Sequence, residues 1–293
     1  MTDSIDEAGA SDRAFALLQE LLPQHFLSRT MHRVARSTQP WLRNTLLRTV
    51  LRAYPQIDLR EAANPDPYSY PSFNAFFTRA LRDGVRPIEG DARDVVSPVD
   101  GTMSQIGTIR DGQLLQAKGI HYTADALLAD ETAARRYDAG GFACVYLAPY
   151  NYHRIHMPLA GRLTATRYVP GQLFSVNAAT ARVIPGVFAR NERVVCEFDT
   201  ELGPLAVVMV GALFVGSVET VFAGEINPPA RRGGGVQAID AGLGTDFARG
   251  AELGRFNMGS TVVLLLGNRT TRFAERLGPG ATVRLGQLLA RCT

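Results

Sequence analysis

From about residue 90 onward the chain consists of short apolar runs separated by glycine and proline, and this pattern limits its possible folds more than any other feature. The runs predicted to be strands are residues 142–148, 163–169, 193–198, 205–210, 213–221 and 261–266. Strands at this spacing are typical of a sandwich or a partly closed barrel rather than of βαβ units. The glycine-rich stretch 231–250 is predicted to be a mobile excursion.

The first 85 residues have a helical pattern instead. Apolar side chains recur near a 3.6-residue period in 13–22, 40–54 and 72–81. The segment 1–11 is polar and acidic and is predicted to be disordered. The sequence therefore predicts an α+β chain with a disordered segment 1–11, a helical region 12–85 and a β-rich domain 86–293.

The helical region has an uneven charge distribution. Between residues 21 and 57 there are six arginines and no acidic residue, although the whole chain carries a net charge of only +3. Such helices pack on their own protein, or lie in the interface of an anionic bilayer, where each basic residue contributes about 1 kcal/mol. No apolar run approaches the roughly 20 residues that span a bilayer. We expect contact with a membrane surface without a crossing, and the small net charge does not favour nucleic-acid binding.

The three cysteines, Cys144, Cys196 and Cys292, are isolated and lack metal-ligand spacing. Cys144 and Cys196 lie in apolar runs, which predicts buried, inert thiols. An odd number without pairing fits a reducing compartment. The acidic, polar start of the chain is the reverse of a secretory signal peptide.

Two of the five histidines, His153 and His156, lie close together in YNYHRIHMPLAG. Such a pair suits a metal site, a structural role for one ring, or acid–base chemistry. A metal site needs further ligands, and no suitably spaced cysteine or carboxylate pair stands out, so no metal is predicted. Because imidazole titrates near neutral pH, acid–base chemistry is favoured.

The stretch NMGSTVVLLLG places Gly259-Ser260 directly before the apolar run 262–266. In isolation this pair is a turn that leads into a strand, and Asp100-Gly101 in VVSPVDG is a hairpin-turn signal. Taken together, Asp100, His156 and Ser260 could supply an orienting carboxylate, a base and a nucleophile. Their distance in sequence leaves open whether they meet.

Seven segments, in order, resemble phosphatidylserine decarboxylases of the bacterial membrane-associated type. They are VVSPVDG, QAKGIHYT, APYNYHRIHMPLAG, VPGQLFSVN, FARNERVVCEFDTELGP, VGALFVGSVETVFAG and GRFNMGSTVVLL. The resemblance extends from the N-terminal helices to the last strand. One departure is Met258, where the family most often has leucine, and this exchange conserves apolar volume.

The resemblance implies a proenzyme whose covalent cofactor is a pyruvoyl group made from Ser260. The Ser260 hydroxyl attacks the Gly259 carbonyl, His156 maps onto the base that takes the proton, and Asp100 maps onto the carboxylate that orients that base. Cutting gives a β chain, 1–259, and an α chain, 260–293, which remain associated as a heterodimer; a higher homo-oligomer stays open. His153 maps onto the residue that assists decarboxylation and reprotonation.

The implied reaction converts phosphatidylserine to phosphatidylethanolamine, with 86–293 as the catalytic domain. Because a diacyl lipid is not delivered through water, we expect a peripheral protein on the cytoplasmic side of the cell membrane. The arginine-rich helices would contact the anionic surface, with GQLFSVN (171–177) near the lipid entrance.

Three alternatives predict different behaviour. A Ser-His-Asp hydrolase would keep an uncut chain, although the sequence lacks a G-x-S-x-G motif. A pyridoxal phosphate enzyme would use Lys118, the single lysine. A non-catalytic membrane adaptor would need only the basic helices.

Overall fold

The computed structural model describes residues 9–214, 217–226, 235–259 and 261–292. Ser260, and residues 1–8 of the segment predicted to be disordered, lie outside these ranges. The α-helices are α1 (Ala10–Leu21), α2 (Gln24–Ala35), α3 (Pro40–Ala53), α4 (Phe73–Phe77), α5 (Ala124–Leu128), α6 (Glu131–Ala134), α7 (Ala178–Ala181) and α8 (Val187–Arg190), with 3-10 turns at Leu59–Glu61, Pro67–Ser69 and Arg135–Tyr137.

The strands are β1 (Asp94–Val96), β2 (Gly101–Thr108), β3 (Gln113–Ala117), β4 (Ile120–Thr123), β5 (Gly141–Tyr146), β6 (Arg154–His156), β7 (Gly161–Val169), β8 (Arg193–Thr200), β9 (Gly203–Val210), β10 (Val218–Thr220), β11 (Gly224–Ile226), β12 (Gln237–Ala238), β13 (Asp246–Phe247), β14 (Glu252–Phe256), β15 (Thr261–Leu266), β16 (Arg272–Phe273), β17 (Thr282–Val283) and β18 (Leu288–Arg291).

The largest sheet has nine strands and places β15 near its centre. Its order is β12-β7-β8-β9-β15-β5-β2-β17, and β13 also pairs with β7. A second sheet has the order β11-β10-β14-β6, a third has the order β1-β18-β16, and β3 pairs with β4. The prediction of an α+β chain with N-terminal helices and a β-rich body is confirmed, and the described strands form open sheets.

The main hydrophobic core lies on the central strands of the nine-stranded sheet. All six residues of β15 are buried, as are the last six of β9 and the first five of β5. A strand buried on both faces needs a continuous apolar run rather than an alternating one, which explains the sequence VVLLL. Cys144, Cys196 and Cys292 are buried and free, and burial raises the pKa of Cys196 to about 12.

A second, smaller cluster joins the N-terminal helices to the segment before β15. Leu47 of α3 and Phe73, Phe76 and Phe77 of α4 are buried in it, and Met258 packs against it. The helical region is therefore in direct contact with the residues that precede Gly259-Ser260.

Helices α1 and α2 bury polar residues and expose apolar ones. Gln19, Gln24 and Ser28 are buried against the β-rich body, where the Gln24 carboxamide oxygen accepts a hydrogen bond from the Leu173 amide at 2.7 Å. Large apolar side chains on the outer side of these helices and at the start of α3 are exposed, namely Leu17, Leu18, Leu21, Phe26 and Trp41. Among the described helices, none is both long and apolar enough to cross a bilayer.

Several sequence-based boundaries need correction. The helix predicted at 72–81 ends at Phe77. Of the described residues within the strand predicted at 213–221, only Val218–Thr220 form a strand, and Phe214 adopts φ 69°, which does not continue a strand. Helix α2 was not predicted, since the residues it buries are largely polar. The predictions of a helix at 40–54 and a strand at 261–266 are confirmed.

The glycine-rich stretch 231–250 was predicted to be a mobile excursion, and its described part, 235–250, contains two short strands of the largest sheet. Both β12 and β13 in this stretch pair antiparallel with β7. An unpaired sheet edge exposes backbone donors and acceptors, and these two short strands satisfy part of that edge.

Candidate active site

Strand β15 fixes the position of the residue that follows Ser260. Thr261 pairs with Tyr146 of β5 on one side and with Val210 of β9 on the other. Its side chain is fully buried, and its hydroxyl oxygen has no hydrogen-bond partner among the described residues. An unsatisfied buried hydroxyl is unfavourable in a finished core and is more common at functional sites.

The backbone before the Gly259-Ser260 bond is strained. Met258 has φ 145°, a region that residues with a side chain rarely occupy. Packing of Met258 against the aromatic cluster of α4 accompanies this conformation. At Gly259 an added Cβ would lie 2.9 Å from His153 Nε2 and 3.1 Å from the Leu147 carbonyl oxygen, so only glycine fits without displacement.

His153 lies beside this bond as a neutral base. Its ring is fully buried and lies against Phe77, with ring centroids 4.0 Å apart. Its Nδ1 is 2.8 Å from the Asn151 carbonyl oxygen, which can only accept, so Nδ1 carries the proton and Nε2 carries a lone pair. Burial, assisted by the nearby charge of Arg79, lowers the pKa of His153 to about 3, while the bond to Asn151 opposes this shift. Nε2 is buried and has no partner among the described residues.

His156 is engaged at both ring nitrogens. Its Nδ1 donates to the Gly250 carbonyl oxygen at 2.9 Å, and its Nε2 accepts a hydrogen bond from the Tyr152 hydroxyl at 3.1 Å. Burial lowers the pKa of His156, and Asp100 is among the groups that oppose this shift. Asp100 is thus within electrostatic range of the His156 ring.

Asp100 itself is held by other partners. Arg86 donates to both of its carboxylate oxygens, at 3.0 and 2.6 Å, and the Leu285 amide donates to one of them at 2.8 Å. Arg86 also bonds to Glu61 at 2.7 Å. Asp100 and His156, both within the described ranges, are not hydrogen-bonded to each other, so the structure brings His153 to Gly259 but does not join Asp100 directly to His156.

Three side chains of the site were missed by the sequence analysis. Tyr152 and Arg86 hold His156 and Asp100, and Arg79 lies close enough to His153 to affect its pKa. Tyr152 was within a quoted motif, but nothing in its spacing pointed to a role. The arginines carry no distinguishing pattern, because their partners are set by tertiary contacts.

Arg79 lines a cavity of about 420 Å³. Its lining includes Thr78 and Arg79 after α4, Arg154 next to His153, and Arg255 and Asn257 before Gly259. A cavity of this size holds a small polar molecule or a lipid headgroup. No cluster of three or more potential metal ligands occurs within the described residues.

Comparison with known proteins identifies similar sequences over almost the entire chain. A family model described as phosphatidylserine decarboxylase matches residues 73–291, and a second, described as PSD, matches 14–55. A protein of Methylococcus capsulatus is 48% identical over 282 residues, covering 96% of this chain and 97% of the relative. Proteins of Stutzerimonas stutzeri and Ectopseudomonas mendocina are 46% and 50% identical over 96% and 94% of this chain, covering 95% and 97% of those relatives. All three relatives are named phosphatidylserine decarboxylase proenzyme.

Proposed function

The chain belongs to the phosphatidylserine decarboxylase family, and from this premise we propose that it cuts itself at Gly259-Ser260 and then decarboxylates phosphatidylserine to phosphatidylethanolamine. The observation that carries the proposal is the neutral Nε2 of buried His153, which lies beside Gly259 and has no partner among the described residues. A buried lone pair without a hydrogen-bond partner does not stabilise the fold. Acid–base chemistry at residue 260, by contrast, requires a nearby atom with a free lone pair.

In the cutting step, the Ser260 hydroxyl attacks the Gly259 carbonyl carbon and the amide becomes an ester. The family resemblance assigns the leaving proton to His156, which would exchange its hydrogen bond from Tyr152 for one from Ser260. Asp100 supports the charged form of His156 through space. Elimination then ends the β chain at Gly259 and begins the α chain at residue 260. The strained backbone at Met258 favours this step because cutting releases it.

The residues around position 260 fit a carbonyl-bearing group. Two buried polar atoms have no partner among the described residues: His153 Nε2, which lies beside Gly259, and the hydroxyl of Thr261, the residue after Ser260. A pyruvoyl group derived from Ser260 would supply an electrophilic carbonyl that takes up the substrate amine and withdraws electrons as carbon dioxide leaves.

His153 is the proton carrier of the mature site in this proposal. Its lone pair accepts a proton from the substrate and later returns one to the carbon that has lost carbon dioxide. Contact with Phe77 and complete burial hold the ring in place and exclude water. A water-poor environment also favours departure of a carboxylate.

Helices α1 to α3 are the proposed membrane-contact region, within 12–85. Leu17, Leu21 and Trp41 are 62%, 83% and 70% exposed, and α2 and α3 add arginines without any acidic residue. Outward apolar side chains with basic neighbours suit the interface of an anionic bilayer. The same helices hold the segment 171–177 through the buried carboxamides of Gln19 and Gln24, which supports that segment as the lipid entrance. The proposed location is peripheral, on the cytoplasmic side of the cell membrane.

Three single substitutions test the proposed chemistry. Ser260→Ala should leave one uncut chain that releases no carbon dioxide from phosphatidylserine, because both nucleophile and cofactor precursor are lost. His156→Ala should also stay uncut. His153→Ala should be cut but release carbon dioxide at least about a hundredfold more slowly. Chains are separated on denaturing gels and carbon dioxide is counted from labelled lipid.

Thr132→Ala, which removes an exposed hydroxyl on α6, is the matched control and should be cut and active like the parent chain. A cut and active Ser260→Ala protein would refute the proposal. If His153→Ala stays uncut and His156→Ala is cut, the assignment is wrong: His153 would then be the base of the cutting step and His156 the proton carrier of decarboxylation.

A further inference from the structure

Arg79 is a buried cation that forms no ion pair with any residue that the structure describes. Only 6% of its surface is exposed, and its Nε has no hydrogen-bond partner in the described part of the chain. Within the described ranges its guanidinium forms no ion pair, unlike the other two arginines that line the 420 Å³ cavity. Arg154 is paired with Glu252 at 2.8 Å, and Arg255 is paired with Glu219.

Burial of the Arg79 charge without a bound anion is energetically unfavourable. Burial lowers the pKa of Arg79, which means that the charged form is destabilised in this position. The guanidinium carbon lies over the Phe76 ring, 5.1 Å from the ring centroid. An aromatic face does not satisfy the in-plane N–H donors, so the arrangement leaves a fork of donors free for an anion.

Chain neighbours of His153 and Gly259 line the same cavity as this fork. Asn257, which contributes to the lining, lies two residues before Gly259, and Arg154 follows His153 directly. The positive charge of Arg79 is close enough to the His153 ring to lower the pKa of His153. An anion bound to Arg79 would therefore lie near the base and outside the central sheet.

We propose that Arg79 binds the phosphodiester of the lipid headgroup, which is a role that rests on the proposed function. A planar guanidinium matches two phosphate oxygens in one plane, whereas an ammonium does not. The other anion of the substrate, its carboxylate, is a poor partner: a fixed cation would stabilise it before reaction and lose that interaction as carbon dioxide leaves. The phosphodiester keeps its charge throughout, so its binding affects substrate affinity and not the chemical step.

Kinetics with dispersed dihexanoyl phosphatidylserine, which needs no membrane, test this role. Arg79→Gln should still be cut into two chains, and its KM should rise about ten- to a hundredfold with kcat changed less than about threefold. Arg79→Lys keeps the charge without the fork and should raise KM by a smaller factor. Arg135→Gln, which changes an exposed arginine directly after α6, is the control with unchanged constants. An unchanged KM in both Arg79 variants would overturn the inference, and Arg79→Lys carries the test if Arg79→Gln does not fold.

Two soluble inhibitors distinguish the phosphodiester from the carboxylate. Glycerophosphoethanolamine carries the phosphodiester and amine but no carboxylate, whereas serine carries the carboxylate and amine but no phosphodiester. We expect Arg79→Gln to weaken inhibition by glycerophosphoethanolamine at least about tenfold and to leave inhibition by serine unchanged. The reverse result, or a fall in kcat without a change in KM, would overturn the assignment. Failure of the proposed function itself would look different, since the parent chain would then release no carbon dioxide.

Discussion

At the scale of single residues, burial determines which chemistry His153 can perform. In water this imidazole would be largely protonated at pH 5, but complete burial and the charge of Arg79 lower its pKa to about 3. Its Nδ1 proton is committed to Asn151, which leaves Nε2 as the basic atom beside Gly259. His153 is therefore neutral over the whole physiological pH range, as the proposed role requires.

The lowered pKa of His153 predicts that kcat stays nearly constant as the pH falls from 8 to 5. A base with a lowered pKa stays active above that value, so kcat should change less than about threefold between pH 8 and 5. A histidine with the ordinary pKa of 6.5 would lose activity more than about tenfold at pH 5. The measurement is kcat on dihexanoyl phosphatidylserine at each pH, and a fall with an apparent pKa near 6.5 would contradict it.

Protein stability must be followed in the same series. Between pH 6.5 and 3 the unfolded chain binds a proton at His153 that the folded chain does not. Folding stability therefore decreases as the pH falls through this window, independently of catalysis. Circular dichroism at each pH separates loss of fold from loss of the base.

Not all residues of the site could be predicted from sequence. The Gly259-Ser260 bond, the histidine pair and Asp100 stand out because their residue types and motifs signal chemistry. Arg79 and Arg86 do not, since an arginine acquires its role from the partner that the fold places beside it. Arg86 occupies the Asp100 carboxylate in the structure, and no spacing in the sequence indicates that pair.

At the scale of secondary-structure elements, predictability follows the environment of each element. β15 and α3 were predicted well because a fully buried strand needs a continuous apolar run and α3 has a regular apolar face with proline in its first turn. α2 was missed because it turns Gln24 and Ser28 inward and Phe26 outward. A helix whose apolar side faces away from its own protein does not give the usual pattern of a core-packed helix.

The outward apolar side of α1 leads to a membrane-binding prediction. The double variant Leu17→Gln/Leu21→Gln should bind vesicles containing phosphatidylglycerol at least about tenfold more weakly, because two exposed leucines no longer enter the apolar layer. Its activity on dihexanoyl phosphatidylserine should be unchanged, because both side chains are exposed and their substitution should change the stability of the fold very little. Vesicle sedimentation gives the binding curve.

The control is Val236→Gln/Leu243→Gln, which replaces two apolar residues that are nearly half exposed on either side of β12. This control should bind vesicles like the parent chain. Equal weakening of both double variants, or of neither, would contradict a specific role for α1.

At the scale of the whole molecule, the fold explains how the two fragments of a chain cut after residue 259 remain associated. The α chain would contribute β15 between β9 and β5, β17 beside β2, and β18 beside β1. The five apolar side chains of residues 262–266 are all buried, and each contributes about 1.5–3 kcal/mol. The two fragments should therefore remain a heterodimer under native conditions.

The overall class was predictable, whereas the sheet order was not. Alternation of apolar runs with glycine and proline indicates a β-rich body, but it does not specify which strands are neighbours. The position of β15 between β9 and β5 depends on pairings between distant parts of the chain. Because β15 is paired on both sides, the bond before it can be cut without loss of the fold.

The central claim is that the chain makes its own cofactor by breaking the Gly259-Ser260 bond. Intact-mass analysis of the purified protein under denaturing conditions tests it most directly. We expect two chains, 1–259 and 260–293, with the shorter chain lighter than its sequence by one ammonia and lacking an N-terminal amine. A single chain of 293 residues with an unmodified Ser260 would contradict the account.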